Sequence, residues 1–241
     1  MAQDTIYAAE RPIVAPFAFD EQVVAVFPDM IARSVPGYEL LLPLIGQIAS
    51  RYAQPHSRCY DLGCSLGAVT QVLRQQIQQA GCRITAVDNS RAMIEKCHHI
   101  LARSGNGLPV DLVEADICQT PIVEASVVVL NFTFQFVPPA LRDVLIQRIY
   151  DGLLPGGVLI LSEKVVFEPQ ELDDLLVTLH HDFKRANGYS DLEISQKRTA
   201  LENVLISDTV PQHQARLLQA GFASADLWFQ AFNFVSLLAI K

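Results

Sequence analysis

The chain alternates between short apolar runs and longer segments in which apolar residues recur every three or four positions. Short apolar runs are typical of buried strands, and a period of 3.6 residues is typical of amphipathic helices. Strands are predicted at Cys59–Leu62, Arg83–Val87, Val110–Glu114, Ser126–Leu130 and Val158–Ser162, and helices at Ala68–Ala80, Arg91–Ser104 and Pro139–Leu154. This alternation predicts an α/β fold with a mostly parallel sheet, whose ligands bind at the carboxyl ends of the strands.

The pattern changes toward the end of the chain. Residues 169–218 predict a mainly helical insertion, and two further strands are predicted at Asp226–Phe229 and Phe234–Ile240. The short gap between these strands predicts an antiparallel pair at the edge of the sheet. We therefore expect seven strands, with a helical insertion before the last two.

The N-terminal part contains no predicted strand. Residues 1–18 show no periodicity and predict a flexible arm, whereas residues 19–241 are expected to form a single domain. Helical periodicity runs over residues 20–52. We expect Pro28 and Pro36 to divide it, because proline removes a hydrogen bond and restricts the residue before it.

Composition limits the classes of function. Half of the 241 residues are hydrophobic, yet no apolar run approaches the ~20 residues that span a bilayer, and residues 1–5 lack the features of a signal peptide. The five cysteines form no C-x-x-C pair and are expected to pack, without a metal, in a reducing cytoplasm. A net charge of −8 argues against direct binding of nucleic acid. We expect a soluble, cytoplasmic protein.

The most informative motif follows the first predicted strand. Residues 61–67 read Asp-Leu-Gly-Cys-Ser-Leu-Gly, a D-x-G-x-x-x-G pattern. A dinucleotide fold would show G-x-G-x-x-G, because a pyrophosphate needs several free N–H groups at close range. The loop suits a nucleoside ligand without phosphates, such as S-adenosylmethionine (SAM). A turn with a purely structural role is the alternative.

Polar residues follow the other predicted strands, where they would line one crevice. Asp88 and Asn89 follow the second strand. A carboxylate there can accept hydrogen bonds from both ribose hydroxyls, or it can cap the next helix. Asp116 and Ile117 follow the third, where they can hold an adenine or form a plain turn. Asn131 ends the fourth and can bind a methionine amino group or fasten the next loop.

Two histidine pairs and two basic pairs stand out in the rest of the sequence. His98–His99 and His180–His181 suggest metal ligands, but adjacent residues point apart on a helix, so we interpret them as surface histidines. Lys184–Arg185 and Lys197–Arg198 lie in the helical insertion. They either form a solvated basic face or direct an arginine into the crevice, where its planar guanidinium would suit a carboxylate.

These motifs together resemble a known family. The loop at 61–67, with Asp-Asn-Ser at 88–90, Asp-Ile at 116–117 and Asn-Phe-Thr at 131–133, resembles class I SAM-dependent methyltransferases, which have a Rossmann-like fold. The segments VFPDMI at 26–31, RSVPGY at 33–38, HHDFKRANGYS at 180–190 and EISQKR at 193–198 are more specific. They resemble the carboxy-S-adenosyl-L-methionine synthase family of bacterial tRNA wobble-uridine modification. The resemblance extends from about Phe19 to the C-terminus.

The resemblance implies an enzyme that converts SAM and prephenate to carboxy-SAM and phenylpyruvate. It also implies a homodimer in which the helical insertion takes part, and a second enzyme that transfers the carboxymethyl group to uridine 34 of tRNA. The family's ligand positions fall on Tyr38, Gly63, Cys64, Ser65, Asp88, Asn89, Asp116, Ile117, Asn131 and Arg198.

The resemblance also assigns roles within SAM binding. Asp88 would hold the ribose, and Asp116 with Ile117 would hold the adenine. Residues 63–65 would hold the methionine part, and Tyr38 would close the site.

Arg198 is the residue that we expect to act in catalysis. Carboxylation of the SAM methyl group creates a carboxylate, which a guanidinium can hold with two hydrogen bonds. Lys197, Arg185 and Arg33 are candidates for binding the carboxylates of prephenate, and no residue is identified as the base. Two alternatives stay open: a conventional SAM-dependent methyltransferase, and a partner subunit that binds SAM without turnover.

Overall fold

One seven-stranded sheet with helices on both faces forms the centre of the protein. The structure is a computed structural model and describes residues 2–105 and 107–241. The strands are β1 Arg58–Leu62, β2 Arg83–Asp88, β3 Val110–Glu114, β4 Ala125–Asn131, β5 Leu153–Lys164, β6 Ser224–Ala231 and β7 Phe234–Ile240. The helices are α1 Glu21–Ser34, α2 Tyr38–Tyr52, α3 Ala68–Gln76, α4 Arg91–Arg103, α5 Pro139–Gly152, α6 Gln170–Ala186, α7 Asp191–Leu201 and α8 Val210–Ala220.

The sheet has the strand order β3-β2-β1-β4-β5-β7-β6. Strands β1 to β5 pair in parallel, and β7 runs antiparallel to both of its neighbours, β5 and β6. The predicted mostly parallel sheet and the antiparallel pair at its edge are confirmed; within that pair β6 is outermost. The strand order reverses between β1 and β4, and α/β sheets bind their ligands at such a point.

Strand β4 is buried on both faces of the sheet. Residues 125–130 are all buried. Val127 and Val129 pack with α2 and α3 on one face, whereas Val128 and Leu130 pack with α5 and α8 on the other. Successive side chains of a strand point to opposite faces, so an unbroken apolar run requires helices on both sides.

Pro28 does not divide the first helix, contrary to the prediction. Helix α1 continues through it to Ser34. A proline inside a helix removes one hydrogen bond and crowds the preceding turn. Burial of Val26 and Met30 on the same helix stabilises α1 despite this cost. Pro36 lies in the link between α1 and α2, as predicted.

The predicted helical insertion divides into two parts with different neighbours. Helix α8 packs against α5 and β6 and therefore belongs to the layer that covers the sheet. Helix α6 packs against α1 and α7 instead. Helices α6 and α7 and the loop after α7 contribute residues to the cavity described below, whereas α8 does not.

The segment predicted as a flexible arm contains no helix or strand within residues 2–18. It packs nonetheless against the rest of the chain, because Tyr7 and Phe17 are buried. Gln196 Nε2 on α7 donates to the carbonyl oxygens of Tyr7 and Ala9. The Phe17 N–H donates to the Ala200 carbonyl at 2.9 Å. The flexibility of the arm in solution stays a prediction.

A fully buried arginine on α5 fastens the loop that follows β4. The Arg142 guanidinium donates to the carbonyl oxygens of Gln135, Val137 and Ile206. It also forms an ion pair with Asp208 at 2.8 Å. Burial raises the pKa of Asp208, but the hydrogen bond and charge of Arg142 outweigh this effect and hold that pKa below its ordinary value.

We expect Asp208→Asn to lower the free energy of unfolding by about 3 kcal/mol, because it leaves the Arg142 charge buried without its counter-ion. Urea denaturation at neutral pH measures this change. Asp143→Asn is the matched control, since Asp143 also pairs with Arg216 but its side chain is 80% exposed. The control should change stability by less than about 0.5 kcal/mol. Equal losses in the two variants would contradict this account of the buried pair.

Candidate active site

A cavity of about 1230 Å³ opens at the carboxyl ends of the parallel strands. It is larger than most ligand pockets, which measure roughly 300–1,000 Å³. Its walls are the loops after β1 to β5, the link between α1 and α2, and parts of α6 and α7. All ten predicted ligand positions line it: Tyr38, Gly63, Cys64, Ser65, Asp88, Asn89, Asp116, Ile117, Asn131 and Arg198. Their individual roles stay predictions.

The loop after β1 turns through left-handed backbone conformations. Gly63 has a φ of +80°, and a side chain there would collide with Thr133. Ser65 has a φ of +50°, which is uncommon for a residue other than glycine. Its N–H donates to Asp88 at 2.9 Å, and this bond stabilises the conformation. Residues held in this way are frequent at functional sites.

Asp88 accepts a hydrogen bond at each of its carboxylate oxygens. The N–H groups of Ser65 and Ser90 donate to them, both at 2.9 Å. The side chain of Ser90 caps α4, so Asp88 is not the helix cap that the sequence left open. A carboxylate has about four lone-pair sites, which leaves acceptor capacity for a ligand. Burial raises the pKa of Asp88, while the two backbone bonds oppose the shift.

The surroundings of Asp116 and Asn131 bear on two further alternatives that the sequence leaves open. The Asp116 carboxylate accepts from the Cys118 N–H at 2.8 Å, so it does form a turn, but it also lines the cavity beside Ile117. Asn131 Oδ1 is buried and has no hydrogen-bond partner among residues 2–105 and 107–241. An unpaired buried acceptor costs roughly 1–3 kcal/mol. A ligand with an ammonium group would satisfy it.

Asp61 is a buried acid in the cavity wall that is not among the predicted site residues. Thr70 Oγ1 donates to it at 2.6 Å. Burial raises the pKa of Asp61 to about 7; the bonds from Thr70 oppose this shift and the charge of Asp88 adds to it. Tyr38 lines the cavity nearby, with its ring packed on Phe132 at a centroid distance of 6.3 Å. Burial and the Asp61 charge raise the pKa of Tyr38.

Positive charge lines the side of the cavity formed by β5, α6 and α7. Lys164 ends β5, Lys184 lies on α6, and Lys197 and Arg198 lie on α7. Burial lowers the pKa of Lys184 to about 8, and the charge of Lys164 adds to this effect. Burial and the charge of Arg198 lower the pKa of Lys164. These groups therefore repel one another in the absence of an anion.

His180 and His181 also line the cavity, and His180 is 5% exposed, so their interpretation as surface histidines is wrong. His180 Nε2 lies 2.8 Å from the Ser34 carbonyl oxygen. Burial and the nearby lysines lower the pKa of His180 to about 3, so the neutral ring donates this bond. Its burial results from the packing of α6 on α1, which the sequence of α6 alone does not reveal.

Of the three cations predicted for prephenate, Lys197 lines the cavity and the other two lie elsewhere. Arg33 donates to Asp29 at 2.9 Å, and Arg185 pairs with Asp182 at 2.7 Å on the exposed face of α6. Their charges are already compensated by neighbouring acids.

Several charged residues of the cavity are missing from the predicted set, among them Lys164, Asp61 and Lys184. Lys164 is absent from the predicted set because the predicted fifth strand ends at Ser162, two residues before β5 does. A polar residue at the end of a buried strand is the same signal that identifies Asp88. Asp61 lies in the glycine motif itself, and Lys184 lies in a basic pair whose orientation depends on the packing of α6.

Comparisons with known proteins identify the family of this chain. The family model described as a methyltransferase domain matches residues 60–157. The carboxy-S-adenosyl-L-methionine synthase of Aeromonas hydrophila is 63% identical over 239 residues, which cover 99% of this chain and 96% of the relative. That of Trichlorobacter lovleyi is 61% identical, with 99% and 98% covered. The chain belongs to the carboxy-S-adenosyl-L-methionine synthase family.

Solved structures support the fold of this synthase-family member. A SAM-dependent methyltransferase structure from Methanococcus maripaludis matches with a TM-score of 0.60 and 23% identity, covering 93% of this chain and 94% of that one. Human N-acetylserotonin methyltransferase, solved with SAM, matches with a TM-score of 0.61 and 18% identity, covering 92% and 55%. The predicted Rossmann-like methyltransferase fold is confirmed.

Within the described residues, no three His, Cys, Asp or Glu side chains cluster as a metal site. No helix of that part of the chain is long and apolar enough to cross a membrane.

Asp61 should make stability depend on pH. Its unfolded pKa is near 3.8 and its folded pKa is about 7, so the native state binds an extra proton between these values. Stability should therefore fall as pH rises through that window, by up to about 4 kcal/mol. Asp61→Asn should reduce the difference between the unfolding free energies at pH 5 and pH 8. Urea denaturation at the two pH values measures this difference. Asp111→Asn on the exposed edge of β3 is the control, and parallel profiles for Asp61→Asn and the wild type would refute the assignment.

Asp88→Asn should weaken binding of S-adenosylhomocysteine about 10- to 100-fold, because an amide nitrogen replaces a charged acceptor for the ribose hydroxyls. Isothermal titration calorimetry measures the affinity. Glu114→Gln is a matched control, since Glu114 pairs with Asp88 in the sheet register but does not line the cavity. An unchanged affinity in Asp88→Asn would show that Asp88 does not bind the ribose.

Proposed function

We propose that this protein makes carboxy-SAM from SAM and prephenate and releases phenylpyruvate. The observation that supports this most directly is the presence of Arg198 and three lysines in the same cavity as the glycine loop. A cationic wall is unfavourable beside a sulfonium unless an anion lies between them. Prephenate is such an anion, with two carboxylates.

The described residues fit SAM as a substrate. The spare acceptor sites of Asp88 suit the ribose hydroxyls, and Asp116 with buried Ile117 suits the adenine. The unpaired Oδ1 of Asn131 suits the methionine ammonium group. The acids beside the glycine loop also favour the positive charge of SAM.

The proposed chemistry balances without a base from the protein. Decarboxylation of prephenate with loss of its ring hydroxyl gives phenylpyruvate, carbon dioxide and hydroxide. The sulfonium acidifies the methyl C–H bonds of SAM, so the hydroxide can take one proton and become water. The resulting ylide carbon forms a bond to carbon dioxide. The sum is SAM and prephenate giving carboxy-SAM, phenylpyruvate and water.

Arg198 has the role of holding the new carboxylate in this proposal. It lines the cavity, and within residues 2–105 and 107–241 its guanidinium has no ion-pair partner. A bidentate contact would stabilise the negative charge as it forms on the carboxylated methyl group. In ordinary methyl transfer the charge that develops there is positive, and an arginine would oppose it.

The wider role follows from the same family. We infer that carboxy-SAM from this enzyme supplies a second enzyme that carboxymethylates uridine 34 of tRNA, and that the enzyme acts as a cytoplasmic homodimer. Exposed apolar side chains on α6 and α7, at Leu172, Leu175 and Leu192, support a protein contact at the insertion.

Mass spectrometry with isotopes tests the reaction. SAM with a fully deuterated methyl group and prephenate labelled with ¹³C in its ring carboxylate should give carboxy-SAM that contains the ¹³C label and has lost one deuterium. Arg198→Ala should lower product formation by about 100-fold or more, because a charge-assisted contact to the developing carboxylate is lost. Arg185→Ala is the control, since Arg185 is paired outside the cavity. Transfer of the intact deuterated methyl to an acceptor would favour a conventional methyltransferase instead.

A further inference from the structure

The polar residues at the carboxyl ends of the strands change in charge across the sheet. From β3 to β5 the order is Asp116, Asp88, the Gly63 loop, Asn131 and Lys164. Neighbouring strands lie about 4.8 Å apart, so roughly 10 Å separates the ends of β1 and β5. If the nucleoside of SAM lies beside Asp116 and Asp88, the methionine part of SAM would reach Asn131. Lys164 lies one strand beyond, outside the space that SAM would occupy.

Lys164 and Lys184 have no counter-ion in the part of the chain that the structure describes. No ion pair or hydrogen bond joins either ammonium group to residues 2–105 or 107–241. The carboxylates of Asp173 and Asp4 raise the pKa values of Lys164 and Lys184 respectively, but burial has the larger effect and lowers both. Lys197 differs, because its Nζ lies 3.8 Å from the centroid of the Phe17 ring.

His180 fixes the position of Lys184. The two residues are four apart on α6 and therefore share a face of the helix. The bond from His180 to Ser34 and the packing of its ring on Phe234 at 4.8 Å hold this face against α1 and β7. Lys184 is thus presented to the cavity by a rigid element, and Lys164 comes from the end of a central strand. Both lysines therefore come from elements that are packed in place.

We propose that Lys164 and Lys184 form an anion subsite that binds the carboxylate which prephenate retains in phenylpyruvate. This inference rests on the proposed function. The ring carboxylate leaves as carbon dioxide and must therefore face the SAM methyl group and Arg198. The retained carboxylate lies at the other end of the molecule, and the lysine pair beyond Asn131 offers it two positive charges.

Lys184→Met and Lys164→Met test the subsite, since methionine keeps most of the side-chain volume without the charge. Each should raise the KM for prephenate and the inhibition constant of phenylpyruvate about 10- to 100-fold, because one charge-assisted contact is lost. The affinity for S-adenosylhomocysteine should stay within about twofold. Wild-type protein should also bind phenylpyruvate more tightly than its neutral amide, and the lysine variants should lose most of that preference.

Arg185→Met is the matched control, since it removes the neighbouring charge on the exposed face of α6. Lys184→Arg should restore binding if charge is what matters, and Lys164→Met provides an independent test if Lys184→Met is unstable. Unchanged inhibition by phenylpyruvate in both methionine variants, with normal turnover by the wild type, would overturn the subsite alone. Absence of prephenate turnover by the wild type would instead overturn the proposed function.

Discussion

The sheet of this protein depends on a central strand that has no side facing water. Because helices must cover both faces of β4, the connections on either side of it run in opposite directions, and the strand order reverses between β1 and β4. The reversal separates the loop after β1 from the loop after β4 and leaves a crevice between them. The ligand positions are consequently determined by the same apolar packing that stabilises the fold.

Charge divides the strand ends and the insertion side of the cavity into an acidic half and a basic half; Asp29, Glu39 and Glu202 line the cavity as well, away from the strand ends. Carboxylates lie at the ends of β1 to β3, and cations lie at the end of β5 and on α6 and α7. A ligand with a sulfonium therefore favours the first half, and an anion favours the second. When two such ligands bind side by side, each strengthens the binding of the other by the same factor, because coupling between sites is reciprocal. The cavity is thus suited to a pair of substrates of opposite charge.

Local sequence patterns were sufficient for the order of strands and helices and for the residues at strand ends. The spacing of apolar residues and their burial determine the order of elements and the strand ends alike. The apolar run at 125–130 and the position of Asp88 at the end of β2 illustrate this. Features that depend on contacts between distant elements could not be predicted in this way. Pro28 is tolerated inside α1 because of packing on the arm and α4, and His180 is buried because α6 rests on α1. The resemblance to the family supplied Tyr38 and Arg198, which no local pattern distinguishes.

The arm has a consequence for the order in which the protein can fold. Its hydrogen bonds join Asp4 to Tyr189 and Tyr7 to Gln196, across 185 and 189 residues of sequence. Contacts of such separation form late, since the intervening chain must first be ordered. During synthesis, the arm must wait for α7 before it finds its place. The sheet can therefore assemble before the cavity is complete, and the wall that contains Phe17 closes only when the two distant parts of the chain meet.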